Sequence, residues 1–261
     1  MKKLGIFLLM AALMSCQTGK GDESARVIFL HHSTGNAIWK GQANRYVYKI
    51  TKKGDVEKYI RRYNKENSTN YQITKLAFPS RESYGWKNYP YDYYSLWVRD
   101  AGSDAGHDEP TLEELSESYD VIIFKHCFPV SDILEDTGTP DINSDVKRVE
   151  NYKVQYEALK QKMHQFEDTK FIVWTPAALV KNATTEEKAL RTRQFYEWVM
   201  GEWDEEGDNI YIWDFYNYET EGELYMKDSY ATNAEDPHPN REFSGKVAPL
   251  FAQFIIDTIE D

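Results

Sequence analysis

The sequence predicts an α/β protein in which a mostly parallel five-stranded sheet is covered on both faces by helices, a three-layer α/β/α sandwich. Three observations predict it. Five short runs, residues 27–30, 71–78, 121–124, 171–174 and 210–215, have the length and the β-branched or aromatic content of buried strands. Segments of helical character lie between them. Strands alternating with helices imply parallel pairing through right-handed crossovers. No internal repeat, low-complexity tract or second domain interrupts this order.

The chain has 261 residues and opens with Lys2 and Lys3. An apolar run over residues 6–13 follows, too short for an ordinary membrane span. Leu13-Met14-Ser15-Cys16 then has the order of a bacterial lipobox. Residues 1–15 are therefore expected to be a lipoprotein signal peptide and Cys16 the lipidated first residue of the mature chain. Residues 16–25, polar and glycine-containing, are expected to form a tether. That places residues 26–261 as one domain, anchored in a bacterial cell envelope on the periplasmic or outer side. The alternative is an ordinary secretory signal with an incidental cysteine.

The first strand, Val27-Ile28-Phe29-Leu30, runs directly into His31-His32-Ser33-Thr34-Gly35. Residues 46–67 mix apolar residues with Lys, Arg and Glu and read as one helix. After the second strand comes a long irregular stretch, residues 79–110, dense in Tyr, Trp and Gly. A second irregular stretch, residues 126–144, follows the third strand. Loops of this length in a compact domain are usually functional or disordered. Residues 146–166 have helical spacing with Tyr152, Tyr156, Leu159 and Met163 on one face. Thr184, with Glu187 three positions on, reads as a capping box opening a helix that runs to about Trp203. The last helix spans residues 244–259, with Val247, Leu250, Phe251, Phe254, Ile255 and Ile259 on one stripe. Pro249 predicts that its regular part begins near Val247.

The formal charge is -12, and losing Lys2 and Lys3 with the leader makes it -14. This excess of acid argues against nucleic acid, whose binding rests on Lys and Arg neutralising phosphates. It equally argues against a polybasic membrane patch. Of two cysteines, Cys16 is assigned to the lipid, so Cys127 has no internal partner and reads as a small buried apolar side chain.

In an open α/β sheet, ligands bind outside the carboxyl ends of the strands. Ser33 stands at such an end. It reads either as a helix cap, a position that favours Ser for backbone reasons alone, or as a nucleophile. A nucleophile needs a base, and Glu235-Asp236-Pro237-His238-Pro239-Asn240, just before the last helix, supplies one. His238 can return to the same sheet edge, and Glu235 or Asp236 can orient its ring.

This order of blocks resembles the SGNH (GDSL-like) hydrolases over most of the mature chain, and in particular members opening on His-His-Ser-Thr-Gly. The resemblance implies a flavodoxin-like fold, serine hydrolysis of a small-molecule or glycan ester, and no metal or organic cofactor. It implies Ser33 as nucleophile, His238 as base, Asp236 or Glu235 as the acid, and the Ser33 and Gly85 N–H groups in an oxyanion hole. Tyr84-Gly85-Trp86 stands where the second block falls. The family's third block brings an Asn donor. Here it reads Lys125-His126-Cys127-Phe128-Pro129-Val130-Ser131-Asp132, without Asn, leaving His126 or Ser131 as substitutes. His31 and His32 replace the usual Gly-Asp before the Ser. Two other functions compete. The missing Asn suits a carbohydrate-binding lipoprotein that has lost the chemistry. His31, His32, His126 and His238 suit a metal-dependent hydrolase if they gather.

Overall fold

The computed structural model describes residues 24–51, 53–80, 87–102 and 108–261. The expected leader, Cys16, most of the tether and Gly85 lie outside these. Among the described residues the main sheet has five parallel strands in the order β2-β1-β3-β4-β5. They are β1 (Ser24–His31), β2 (Asn70–Ala77), β3 (Val121–Phe124), β4 (Lys170–Trp174) and β5 (Ile210–Trp213). All five expected strands are present, and β1 takes in the last two residues of the expected tether. Leu30 pairs with Leu76 on one side and Phe124 on the other, so the first strand ends deep inside the sheet.

Alternate residues of each strand feed two apolar layers. Ile28, Leu30, Ile122, Phe124 and Val173 face one layer. Over it pack α4 (Pro90–Tyr94), α5 (Leu112–Ser118), α6 (Val149–Met163) and α7 (Glu186–Trp198). Val27, Phe29, Ile123, Ile172 and Trp174 face the other layer. It is covered by α1 (Ser33–Lys40), α3 (Asp55–Asn67) and α9 (Arg241–Glu260). Tyr152, Tyr156, Leu159 and Met163 form the buried face of α6, as their spacing predicts.

Four expectations are corrected. The helix expected over residues 46–67 is two: α2 (Arg45–Thr51) and α3. They part at Gly54, whose backbone is pressed against the Trp39 carbonyl with no room for a β-carbon. The cap of α7 is Thr185, not Thr184; its hydroxyl accepts from the Lys188 N–H at 3.4 Å. The last helix begins at Arg241, well before Pro249, because the Asn240 side chain caps it by accepting from the Phe243 N–H at 2.9 Å. Proline inside a helix costs about 3 kcal/mol. Burying Phe243, Val247, Phe251, Ile255 and Ile256 at roughly 1.5–3 kcal/mol each outweighs that. Leu250 is not on the buried stripe; it is 47% exposed.

The stretch expected to be irregular over residues 79–110 carries α4, and a two-stranded ribbon also has no counterpart in the sequence reading. After α8 (Phe215–Thr220), β6 (Ala231–Asn233) and β7 (Asp236–Pro239) form an antiparallel ribbon just ahead of α9. Its prolines hide the strand pattern.

Candidate active site

The chain leaves β1 toward β2 on one side and returns to β3 on the other, which makes the carboxyl ends of β1 and β3 the switch point of the sheet. Ser33 is the first residue of α1 at that point, and it is exposed. The capping position belongs to His32, and no side chain caps the helix. The cap reading of Ser33 therefore fails, and its hydroxyl faces solvent where unpaired N–H groups of the first turn also converge. Gly35 lets the helix lie directly on β1: a β-carbon there would stand 2.6 Å from the His31 Cβ and 2.9 Å from the Phe29 Cζ.

The two histidines before Ser33 are structural. His31 is buried; its Nδ1 donates to the His32 carbonyl at 2.7 Å, and burial pushes its pKa down to about 3. The His32 Nε2 donates to the Pro79 carbonyl at 2.9 Å, tying the first block to the end of β2.

His238 sits on β7, and β7 packs against α1, the helix that Ser33 opens. Residues two apart on a strand project to the same face. Asp236 and His238 are two apart, and their side chains meet: Nδ1 of His238 lies 2.5 Å from Oδ1 of Asp236. The same oxygen accepts from the His238 backbone N–H at 3.0 Å. The ring bond and then the backbone bond hold the Asp236 carboxyl below the usual range, against a small effect of burial. Glu235 lies in the turn, its N–H donating to Asn233 Oδ1 at 2.9 Å. The acid beside the ring is Asp236. Asn240 fastens this ribbon, its Nδ2 donating to the carbonyls of Ser229 (2.7 Å) and Ala231 (3.1 Å).

The third block is placed differently from expectation. His126 is buried on the α6 side, its Nε2 2.7 Å from the Tyr156 hydroxyl, with burial and then the Lys125 charge driving its pKa well down. Ser131 is buried too, and its hydroxyl donates to the Ala177 carbonyl at 2.5 Å. The Ser131 hydroxyl is spent in the interior, and the one ring nitrogen of His126 left without a partner, Nδ1, is itself buried. The residue from this block that does reach His238 is Phe128, ring edge to ring face, with centroids 4.8 Å apart. The sequence reading assigned it no role, although its place after the third strand was the available signal. Two further residues set the block. The buried Lys125 Nζ donates to the His126 carbonyl at 2.5 Å. Asn88, at φ 50, donates to the Phe78 carbonyl and accepts from the Cys127 N–H, both at 2.8 Å. Nothing in the sequence around Asn88 distinguishes it from a turn residue.

Among the described residues no three His, Cys, Asp or Glu side chains gather as a metal site. His31, His32, His126 and His238 point to four different partners, so the histidine cluster does not form.

No family model matches the chain, and no curated protein matches it in sequence. Solved structures do. A candidate GDSL-like lipase from Parabacteroides merdae superposes with a TM-score of 0.51 at 12% identity, over 90% of this chain and 97% of that one. The chain shares the fold of that structure. A candidate acylhydrolase from Bacteroides fragilis matches with a TM-score of 0.46 at 12% identity, over 90% and 88% of the two chains. A carbohydrate esterase structure, described as having divergent catalytic and non-catalytic binding functions, matches with a TM-score of 0.37 at 10% identity, over 92% and 70%.

Proposed function

We propose that the protein is a serine ester hydrolase of the bacterial cell envelope, anchored through Cys16 and acting on small-molecule or glycan esters. The observation that carries this reading is the Asp236–His238 pair, held on a strand that packs against the helix opened by Ser33. The fold shared with a candidate GDSL-like lipase supports it.

In this reading Nε2 of His238 takes the Ser33 proton as Oγ attacks the ester carbonyl carbon. Asp236 keeps the proton on Nδ1 and stabilises the imidazolium. The tetrahedral oxyanion is held by the Ser33 N–H and the Gly85 N–H, each such donor being worth roughly 3–4 kcal/mol in the transition state. As the C–O bond breaks, His238 returns its proton to the leaving alcohol. Water, deprotonated by His238, then attacks the acyl-enzyme, and Ser33 leaves with the proton. Phe128 walls one side of the base with an apolar ring. Purified protein is expected to release p-nitrophenol from short acyl esters and to react with a fluorophosphonate probe at Ser33. Full hydrolysis by Ser33→Ala refutes the reading.

One observation favours a second reading, a carbohydrate-binding lipoprotein without chemistry. The third block lacks the Asn donor, the Ser131 hydroxyl is spent on the Ala177 carbonyl, and His126 keeps only a buried Nδ1 without a partner. Glycan binding together with no probe labelling of Ser33 selects it.

A further inference from the structure

We propose that α2 docks on an anionic lipid surface. The helix turns one residue inward. The Tyr48 hydroxyl donates to Asn36 Oδ1 at 2.7 Å and accepts from Lys75 Nζ at 2.8 Å. At about 100° per residue, Tyr46, Ile50 and Val47 occupy an arc on the side away from Tyr48. They are 76%, 85% and 50% exposed. The other large exposed apolar residues among those described, such as Leu134 and Leu190, are scattered over separate elements.

Charge identifies what this face fits. The chain has 43 acidic residues against 31 basic ones, yet no Asp or Glu occurs between residues 24 and 54. Arg45 and Lys49 are exposed along one flank of the apolar arc, and Lys53 follows the helix, exposed as well. A short cationic helix with an outward Tyr, Val and Ile has the composition of an interfacial helix. A protein partner suits the face less well, because seven residues are far short of the roughly 800 Å² per side that a stable protein interface buries. The bond from Tyr48 reaches Asn36, three residues after Ser33 and about 4.5 Å further along α1. A docked α2 therefore sets the mouth of the candidate site close to the headgroups. The proposal stands whether or not Ser33 is a nucleophile.

The test uses the full chain carrying Cys16→Ser, so that Ile50→Cys accepts an environment-sensitive fluorophore while the buried Cys127 stays unlabelled. A second sample carries the fluorophore at Glu206→Cys, exposed and remote from α2. With phosphatidylglycerol-containing vesicles the position-50 probe is expected to shift to shorter wavelength and the position-206 probe to stay unchanged. Adding Arg45→Glu and Lys49→Glu is expected to weaken that response at least roughly tenfold. Circular dichroism checks that these exposed substitutions leave the fold intact. No shift on anionic vesicles overturns the proposal. So does an equal shift on pure phosphatidylcholine. A shift that appears without vesicles and grows with protein concentration also overturns it, and points to a second copy of the chain instead.

Discussion

Alanine at position 35 sets two large effects against each other. Gly→Ala inside a helix ordinarily stabilises by about 1 kcal/mol. Here the new methyl would lie 2.6 Å from the His31 Cβ and 2.9 Å from the His31 Cγ and the Phe29 Cζ. Carbon pairs rest at about 3.5–4.0 Å, so the overlap is about 1 Å. β1 cannot yield, because β2 and β3 pair with it on both sides. The start of α1 must lift instead. Overpacking of this kind costs about 1–3 kcal/mol, and so severe an overlap belongs at the upper end. Net destabilisation is expected at about 2 kcal/mol, a fall in Tm of roughly 4–8 °C for a domain of this size. Ser33, two residues away, moves with the helix. A displacement of about 1 Å at a reacting group costs on the order of 100-fold in kcat. Thermal unfolding followed by circular dichroism, with hydrolysis of a short acyl ester on the same samples, measures both. A Gly35→Ala protein that melts at or above the parent temperature refutes the reasoning, because helix propensity then wins and the seat of α1 is not tight.

Asp236→Asn is expected to lower ester hydrolysis by roughly 10²–10⁴-fold by losing the acceptor that fixes the His238 tautomer, while Glu235→Gln stays within about twofold; initial rates separate the two carboxylates. His31 links stability to pH. Its pKa is lowered by burial from 6.5 to about 3, so between those values the unfolded chain binds the extra proton and the folded chain does not. Stability contributed by keeping this ring neutral is therefore complete above pH 6.5 and falls as the pH drops toward 3, by up to about 5 kcal/mol. Urea midpoints at pH 7 and pH 4.5 check the direction, and the His31 ring proton should keep its neutral chemical shift at pH 4.5; a ring that titrates near 6.5 contradicts the burial argument.

The centre of the sheet was legible because β1, β3 and β4 are buried on both faces. Runs such as Val121-Ile122-Ile123-Phe124 have nothing polar to place, and parallel pairing follows from the helices between them. The buried face of α6 was legible for the same reason. The ribbon was not. Asp236-Pro237-His238-Pro239 carries two prolines, which erase any strand signal, and only the strand geometry distinguishes Asp236 from its neighbour Glu235 as the acid. Ser33 was legible as a polar residue closing an apolar run. The interior fate of His126 and Ser131 was not, because it depends on Tyr156 and Ala177, which come from other elements. Leu250 and Pro249 failed for a common reason. A pattern along the helix cannot tell where the cap at Asn240 starts it or which way the sheet lies.

The ribbon and α9 come long after β1 in the chain, which has a consequence for biosynthesis. Ser33 is made long before His238 and the 20 residues of α9. Until α9 arrives, Phe29 lacks the Phe251 ring that covers it at 5.2 Å, and β1 has an open face. Ser33 and His238 are therefore not brought together in a nascent polypeptide that stops short of the ribbon. The first strand is covered only once α9 has closed over it.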